Sequence, residues 1–470
     1  MIPASTLIHL RKFAILSPLL MITLLSIASA QVSPEPQREQ LLNGLRVLIW
    51  HRPGEEDVLI KLRIHSGAAF DLAGKSGEMA LLGDILFPDP ATREYFTDQM
   101  QGRLNVTTDY DSMTVTMQGK AAEFERIVEI LRNGLVSTQL TPEIVTSVRE
   151  GRIKIVKETS ISSSILADRA IATRLFGDFP YGQPYSGSTE SIARVERADL
   201  MLARDRFLNP NNATLVVSGG IQPTRVMRTL RQLLGSWRKS ERIVPSTFKQ
   251  AAPPDLRTLI VNAPADDSVE IRLASRGLAR SDRSAATADV LGNVVRSRWE
   301  QALPELARSP VFVRHESRQM PGIFVMGATV KSALAARSLS AARDILKKAM
   351  DSPATGLELE QAKREALVVF EKALSKPDGM ADEWLDLDTY KLKSVSDEKR
   401  ALESVSAADL QRVARQLFGN GLVASIAVGK ADQLKSELER ENTVEVLGVV
   451  APEPKPSPTP ARKTATSTTP

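Results

Sequence analysis

Two stretches of this 470-residue chain repeat one another at a fixed distance, and the repetition limits the fold more than any other feature. Asp199-Leu200 opens an amphipathic run that ends in Leu215-Val216-Val217-Ser218-Gly219. Asp409-Leu410 opens a similar run that ends in Ser425-Ile426-Ala427-Val428-Gly429. Both the Asp and the Gly recur 210 residues later. A second segment, EIVTSVRE at 143–150, recurs as ELEQAKRE at 358–365, an offset of 215. Two matches at nearly one offset indicate a duplication, and the body of the chain is too long for one core. The expected organisation is a first domain over 38–240, a linker over 241–256 rich in Pro and charge, and a second domain over 257–450.

Within each half, short strands sit beside long helices. Residues 45–50 and 58–66 are predicted strands joined by the turn at Pro53-Gly54. Residues 113–118 alternate apolar and polar side chains as a half-buried strand does, whereas 124–135 and 142–159 place apolar residues at helical spacing. Adjacent strands with separate helices, rather than strict alternation, predict an α+β fold. Each half is expected to form an antiparallel-rich sheet with helices packed on one face.

The two ends have a different character. Arg11 and Lys12 precede an apolar run over 13–27 and then Ala28-Ser29-Ala30, the pattern of a secretory signal peptide over 1–30, cut after Ala30. The run contains Pro18 and is shorter than the roughly 20 residues a spanning helix needs, so no integral span is expected after cleavage. This predicts export, to the periplasm if the host is bacterial. Residues 451–470 alternate Pro with small polar residues and are expected to stay extended and solvated. The chain has no Cys, which removes disulfides, thiol zinc sites and thiol lipidation. A net charge of +5 with no basic stripe argues against nucleic acid as a partner. Asn105-Val106-Thr107 and Asn212-Ala213-Thr214 match the glycosylation pattern, which matters only in a eukaryotic host.

The stretch Gly77-Glu78-Met79-Ala80-Leu81-Leu82-Gly83-Asp84-Ile85-Leu86-Phe87 reads as a helix, preceded by Gly67-Ala68-Ala69-Phe70-Asp71 and Lys75-Ser76. Other signposts follow in order: Leu42-Asn43-Gly44-Leu45-Arg46-Val47 before it, then Asn105-Val106-Thr107-Thr108 with Tyr110 and Asp111, Pro180-Tyr181-Gly182, and Phe207-Leu208-Asn209-Pro210-Asn211-Asn212. In that order they resemble the M16 peptidases, the insulinase and mitochondrial processing peptidase family. The resemblance covers most of the chain after residue 30 and implies two homologous M16-type metallohydrolase domains of α+β class.

The same resemblance points to what is missing. The family's His-x-x-Glu-His helix binds zinc through two His one turn apart and uses the Glu to activate water. Here the two His positions carry Ala80 and Asp84 and the Glu position carries Gly83, so no catalytic residue and no zinc cofactor are expected. The third family ligand is a Glu on a later helix, and by count it falls on Glu158; the companion Glu falls on Gly151. Glu158 is thus a relic ligand position, and Asp84 with Glu158 could make at most a weak oxygen-rich cation site. His51, His65 and His315 lack ligand spacing. Neither a Cys nucleophile nor a Gly-x-Ser-x-Gly elbow is present. In the second half the family's Arg-x-x-x-Gly-Leu-x-Tyr, which holds a substrate carbonyl, matches the stretch 305–312, with Glu305 at the Arg and Phe312 at the Tyr position. Arg308, Arg314 and Tyr390 are the candidate substitutes for those donors.

Three readings follow. The favoured one is an exported, inactive M16 homologue that partners a second M16 chain bearing His-x-x-Glu-His and shapes a chamber for peptide or unfolded polypeptide. By resemblance, the strand around Asn105, Val106 and Thr108 would offer its edge to an extended substrate, which needs only backbone hydrogen bonds. The second is a stand-alone peptide-binding or scaffold protein. The third is a zinc endopeptidase with atypical ligands.

Overall fold

The computed structural model describes residues 34–447 except 161, 242–247, 249–250, 264–266, 305–310, 420–421 and 441–442. The expected signal peptide, the 451–470 tail, much of the linker, and Glu305 and Arg308 lie outside the described residues.

Twelve strands are described, in two six-stranded sheets. The first holds β1 (Gln37–Gln40), β2 (Arg46–His51), β3 (Asp57–Ile64), β4 (Arg103–Thr108), β5 (Met113–Lys120) and β6 (Ala213–Gly219) in the order β1-β2-β6-β3-β5-β4. The second holds β7 (Thr258–Asn262), β8 (Ser268–Arg276), β9 (Val311–Glu316), β10 (Ile323–Lys331), β11 (Ala424–Gly429) and β12 (Val444–Leu447) in the order β12-β7-β11-β8-β10-β9. Five positions in the two orders correspond; only the outermost strand differs. β1 comes from the N-terminal side and runs antiparallel to β2, whereas β12 comes from the C-terminal side and runs parallel to β7. Among the described strands β2–β6, β7–β11 and β7–β12 pair in parallel and the other pairs are antiparallel, so both sheets are antiparallel-rich.

The first half carries helices α1 (Glu78–Ile85), α2 (Pro90–Asp98), α3 (Phe124–Arg132), α4 (Pro142–Thr159), α5 (Ser163–Phe176), α6 (Thr189–Ala193), α7 (Arg197–Phe207) and α8 (Pro223–Leu234). The second carries α9 (Ala285–Ala302), α10 (Ala335–Asp351), α11 (Gly356–Leu374), α12 (Pro377–Tyr390), α13 (Val395–Glu403), α14 (Ala407–Phe418) and α15 (Ala431–Leu438). The duplicated Asp residues share a capping role. Asp199 and Asp409 each sit at the third position of their helix, α7 and α14, and close a capping box with Glu196 and Ser406.

β3 is buried along nearly its whole length because both its faces are covered. Ile60, Leu62 and Ile64 face one core with Leu81 and Ile85 of α1, Val128 of α3, Leu200 of α7 and Leu230 of α8. Leu59 faces a second cluster, with Leu48 and Val216, and the residues that close it come from the other half: Met380, Trp384 and Leu385 of α12. Trp384 meets Trp50 edge-on with ring centroids 5.5 Å apart. The second sheet is treated the same way. Ile271 and Leu273 face their own half's core, while Ala274, Ile426 and Val428 receive Ala167, Ile171 and Leu175 of α5 from the first half. The helices of each half therefore pack on one face of its own sheet, and the opposite face is covered by a helix lent by the other half.

Charges set the register of these two crossings. Lys61 and Arg272 stand opposite Val216 and Ile426, which are 210 residues apart. Lys61 pairs with Asp382 of α12 at 2.7 Å, and Arg272 pairs with Asp168 of α5 at 2.7 Å. Asp168 and Asp382 differ by 214 in number, so one duplicated cation meets one duplicated carboxylate, reciprocally across the halves. Arg63 adds pairs to Asp382 and Asp386, and Arg103 reaches Asp378 at 2.6 Å. Among the described residues no helix is long and apolar enough to cross a membrane.

Candidate functional site

α1 starts where the chain turns through Gly77, whose φ of +92° suits a residue without a Cβ. The Asp71 carboxylate accepts the Gly77 and Met79 N–H groups at 2.6 and 2.8 Å and so caps the helix. Burial pushes the Asp71 carboxyl up to about 8 against those two bonds. Glu78, which accepts the Leu72 N–H at 2.9 Å, is pushed up to about 7, again by burial first. The helix lies against α4, α7, β4 and β5.

The three positions singled out on α1 have clear surroundings. Ala80 is buried and offers only its backbone carbonyl. Gly83 is buried beneath β4; a Cβ there would lie 3.1 Å from Val106 Cγ1 and 3.3 Å from Thr108 Oγ1. The Asp84 carboxylate is held by Arg152 of α4, with Nε and Nη2 each donating at 2.7 Å, one to either oxygen. Nη2 also donates to the Ala80 carbonyl at 3.2 Å. The residue facing Asp84 is therefore Arg152. Glu158 lies six residues on, exposed in the last turn of α4, and Gly151 is exposed as well. The structure brings Ala80, Gly83 and Asp84 together with Arg152 and leaves Glu158 out.

β4 is an edge strand. Val106 and Thr108 are half-buried and approach α1 at Gly83, whereas Asn105 is exposed. A strand partner would find the outer backbone edge of β4, the Asn105 side chain on the solvent side, and Val106 and Thr108 turned inward.

The His residues are dispersed. His51 ends β2 and is half-buried. His65 lies between the halves, with Nδ1 3.0 Å from Thr389 Oγ1, and Nε2 2.9 Å from Thr214 Oγ1 and 3.5 Å from Asp388. His315 is enclosed on β9, its Nε2 accepting the Leu278 N–H at 3.0 Å and its Nδ1 facing Asp289 at 2.9 Å. Among the described residues no group of three or more His, Asp or Glu could hold a metal ion. Zinc does not fit the α1–α4 site: two of its three α1 positions carry no side-chain donor, and the third is bound to a guanidinium.

In the second half, Phe312 on β9 is flanked by the guanidinium carbons of Arg314 and Arg272, 4.5 and 4.9 Å from its ring centroid. Arg314 pairs with Glu316 at 2.7 Å. Tyr390 donates to Asp111 at 3.2 Å, in a junction that the sequence did not signal. There Asp111 also accepts the Tyr181 hydroxyl and the Gln319 N–H, both at 2.8 Å, and Arg318 stacks 4.5 Å from the Tyr110 ring centroid. Beside it a cavity of about 530 Å³ opens between the halves, lined among others by Tyr110, Ile155, Phe176, Tyr185 and Arg314.

Comparison with known proteins places this architecture. The model of the peptidase M16 inactive domain matches residues 194–366. An uncharacterized zinc protease of Mycobacterium leprae is 24% identical over 231 residues, covering 48% of this chain and 50% of its own. Subunit 1 of the human mitochondrial cytochrome b-c1 complex is 21% identical over 231 residues, covering 48% and 46%. The chain thus spans about half the length of the curated relatives it matches. In fold, it is similar to the crystal structure of a peptidase M16 inactive domain from Pseudomonas fluorescens, with a TM-score of 0.74, 15% identity, and coverage of 84% of this chain and 98% of that one. The chain is thus similar to M16 peptidases over 194–366 and in its two-sheet α+β fold, and its sequence holds no His-x-x-Glu-His motif.

Proposed function

We propose that this chain is an exported, catalytically silent M16 homologue that acts as the non-catalytic partner of a zinc-dependent M16 endopeptidase. The observation that carries the reading is the α1–α4 site, where Asp84 is bound by Arg152 and Ala80 and Gly83 are buried without side-chain donors, at the positions that the resemblance assigns to the zinc motif. A chain that keeps the fold and lacks the donors can still line a peptide chamber. The free edge of β4, with Asn105 exposed, suits an extended polypeptide added by backbone hydrogen bonds. Export rests on the basic and then apolar pattern over 1–30. The test is affinity purification of the tagged mature chain from its native envelope fraction, with mass spectrometry of what accompanies it. Stoichiometric recovery of an M16 chain bearing His-x-x-Glu-His is the expected result; recovery of the chain alone overturns the partner reading. The similarity to a cytochrome b-c1 subunit favours, as a second reading, a scaffold or peptide-binding role without a peptidase. Recovery with unrelated envelope proteins would support it.

A further inference from the structure

The disagreement between the α1–α4 site and zinc has a positive side. We propose that Arg152 is a fixed cationic tie between α1 and α4, standing where a metal-binding chain of this fold would place its ion, and that it closes the site to divalent cations. The inference is independent of whether the chain partners a peptidase.

Three observations carry it. First, the geometry is that of a clamp rather than a passing surface pair. The guanidinium makes two 2.7 Å bonds to the two oxygens of one carboxylate, a planar fork that fixes orientation as well as distance, and a third bond to the Ala80 carbonyl one turn earlier. Both side chains are mostly enclosed, at 16% and 24% exposure. Second, among the described residues no imidazole or second carboxylate stands at the site: Ala80 and Gly83 have no side-chain donor atom and Glu158 is exposed in the last turn. A cation entering here would have to displace the guanidinium from Asp84, with no imidazole or second carboxylate to compensate, and Arg93 adds further positive charge near Asp84.

Third, the duplicate half solves the same problem by the same means with the charges exchanged. There α11, the counterpart of α4, packs on α9, and the carboxylates lie on the later helix. Arg296 of α9 pairs with Glu365 at 2.6 Å, and Arg298 of α9 holds Glu358 at 2.7 and 3.1 Å. Asn293 of α9 donates to the Ala362 carbonyl at 3.1 Å. Both helix pairs are therefore stitched by Arg–carboxylate forks plus a side-chain bond to a helix carbonyl. The first half needs no ion for a purpose that the second achieves without one.

The experiment uses the mature full-length chain and zinc(II) alone as probe, with equilibrium dialysis, thermal unfolding and hydrogen exchange read on wild type, Arg152→Met, Arg152→Lys, Asp84→Asn and Asp84→Leu/Arg152→Met. Wild type should retain no stoichiometric zinc at micromolar metal and melt unchanged in chelator. Arg152→Met should lower Tm by roughly 5 °C or more, because it leaves an enclosed carboxylate unpaired. Amide protection in α1 should fall about tenfold with it. The double variant should return to within roughly 2 °C of wild type, since the stranded charge is gone. If Arg152→Met does not fold, Arg152→Lys, which keeps the charge and loses the fork, should show an intermediate fall. Stoichiometric zinc in the wild type that Asp84→Asn abolishes, or Arg152 and Asp84 effects that simply add, would overturn the proposal.

Discussion

Arg272 and Lys61 are duplicated positions with unequal surroundings, and removing each charge should expose the difference. Arg272 is fully enclosed; its guanidinium bonds Asp168 at 2.7 Å, Glu270 at 2.9 Å and Ser164 Oγ at 2.8 Å, and lies 4.9 Å from the Phe312 ring centroid. Arg272→Met keeps much of the stem and strands Glu270, whose side chain is 11% exposed and keeps the Thr329 hydroxyl at 2.7 Å. An enclosed carboxylate without its cation costs about 3–5 kcal/mol, and the lost stacking adds about 1 kcal/mol. Relief of Asp168, whose side chain is 41% exposed, returns part of that. The net expectation is about 4 kcal/mol. Lys61→Met leaves no such orphan. Lys61 is itself buried, but its partners Asp378 and Asp382 have 41% and 44% exposed side chains and keep Arg103 and Arg63 beside them. Both can hydrate, so the cost is expected near 1 kcal/mol. Urea unfolding of the mature chain, followed by far-UV circular dichroism and Trp fluorescence with a common m-value, measures both. A gap of about 3 kcal/mol is roughly a hundredfold in the unfolding constant. If Lys61→Met costs as much as Arg272→Met, hydration of the partner carboxylates does not decide these ties and the reasoning fails.

Two further expectations concern pH. Glu383 has one carboxylate oxygen without a hydrogen-bond partner and is pushed from 4.5 up to about 7 by burial, with Arg280 opposing. A raised folded value means that the neutral form's advantage is full below about 4.5 and is lost as pH rises through about 7. Glu383→Gln should therefore gain on wild type by up to about 3 kcal/mol between pH 5 and pH 8; parallel unfolding curves at the two pH values would contradict it. His65 has the opposite sign. Burial lowers its pKa below the ordinary 6.5 against the pull of Asp388, with Arg46 and Lys391 adding to the fall. Its neutral form is favoured on folding, and that contribution is present above pH 6.5 and lost as pH falls. The melting temperature of wild type should drop more than that of His65→Gln between pH 7 and pH 5.5; equal drops would remove His65 as the acid-sensitive group.

The parts of the fold that were legible in the sequence are those encoded locally. Asp199 and Asp409 announced themselves because a capping box needs a polar residue three positions into a helix, whatever that helix packs against. Gly219 announced the end of β6 because a Cβ there would lie 2.5 Å from the Asp57 carbonyl. The exchange of α5 and α12 was not legible. Helical spacing shows that a helix has an apolar face, but it does not say which sheet will receive it. The run of acidic residues on α12 also looks like a solvated surface until Lys61, Arg63 and Arg103 are seen beneath it. At the candidate site, the identities at 80, 83 and 84 could be read directly, whereas counting along α4 led to Glu158. Arg152 escaped notice because a 68-residue separation carries no periodic signal.

The two exchanged helices also bear on how the halves can move. Interfaces between domains of one chain are usually modest and polar, which leaves relative motion as the default. Here each contact is instead the second face of a sheet. Leu48, Leu59 and Val216 are buried in one cluster with Met380, Trp384 and Leu385, and Leu259, Ile426 and Val428 in another with Ile171 and Leu175. Opening the halves by a hinge would expose both clusters and break the paired charges of both crossings at once, including Arg272, which has no exposed surface to begin with. Asp111 adds a third cost, since its partners Tyr181, Gln319 and Tyr390 come from both halves. Opening between the halves is thus expensive, and the two halves are expected to move as one unit.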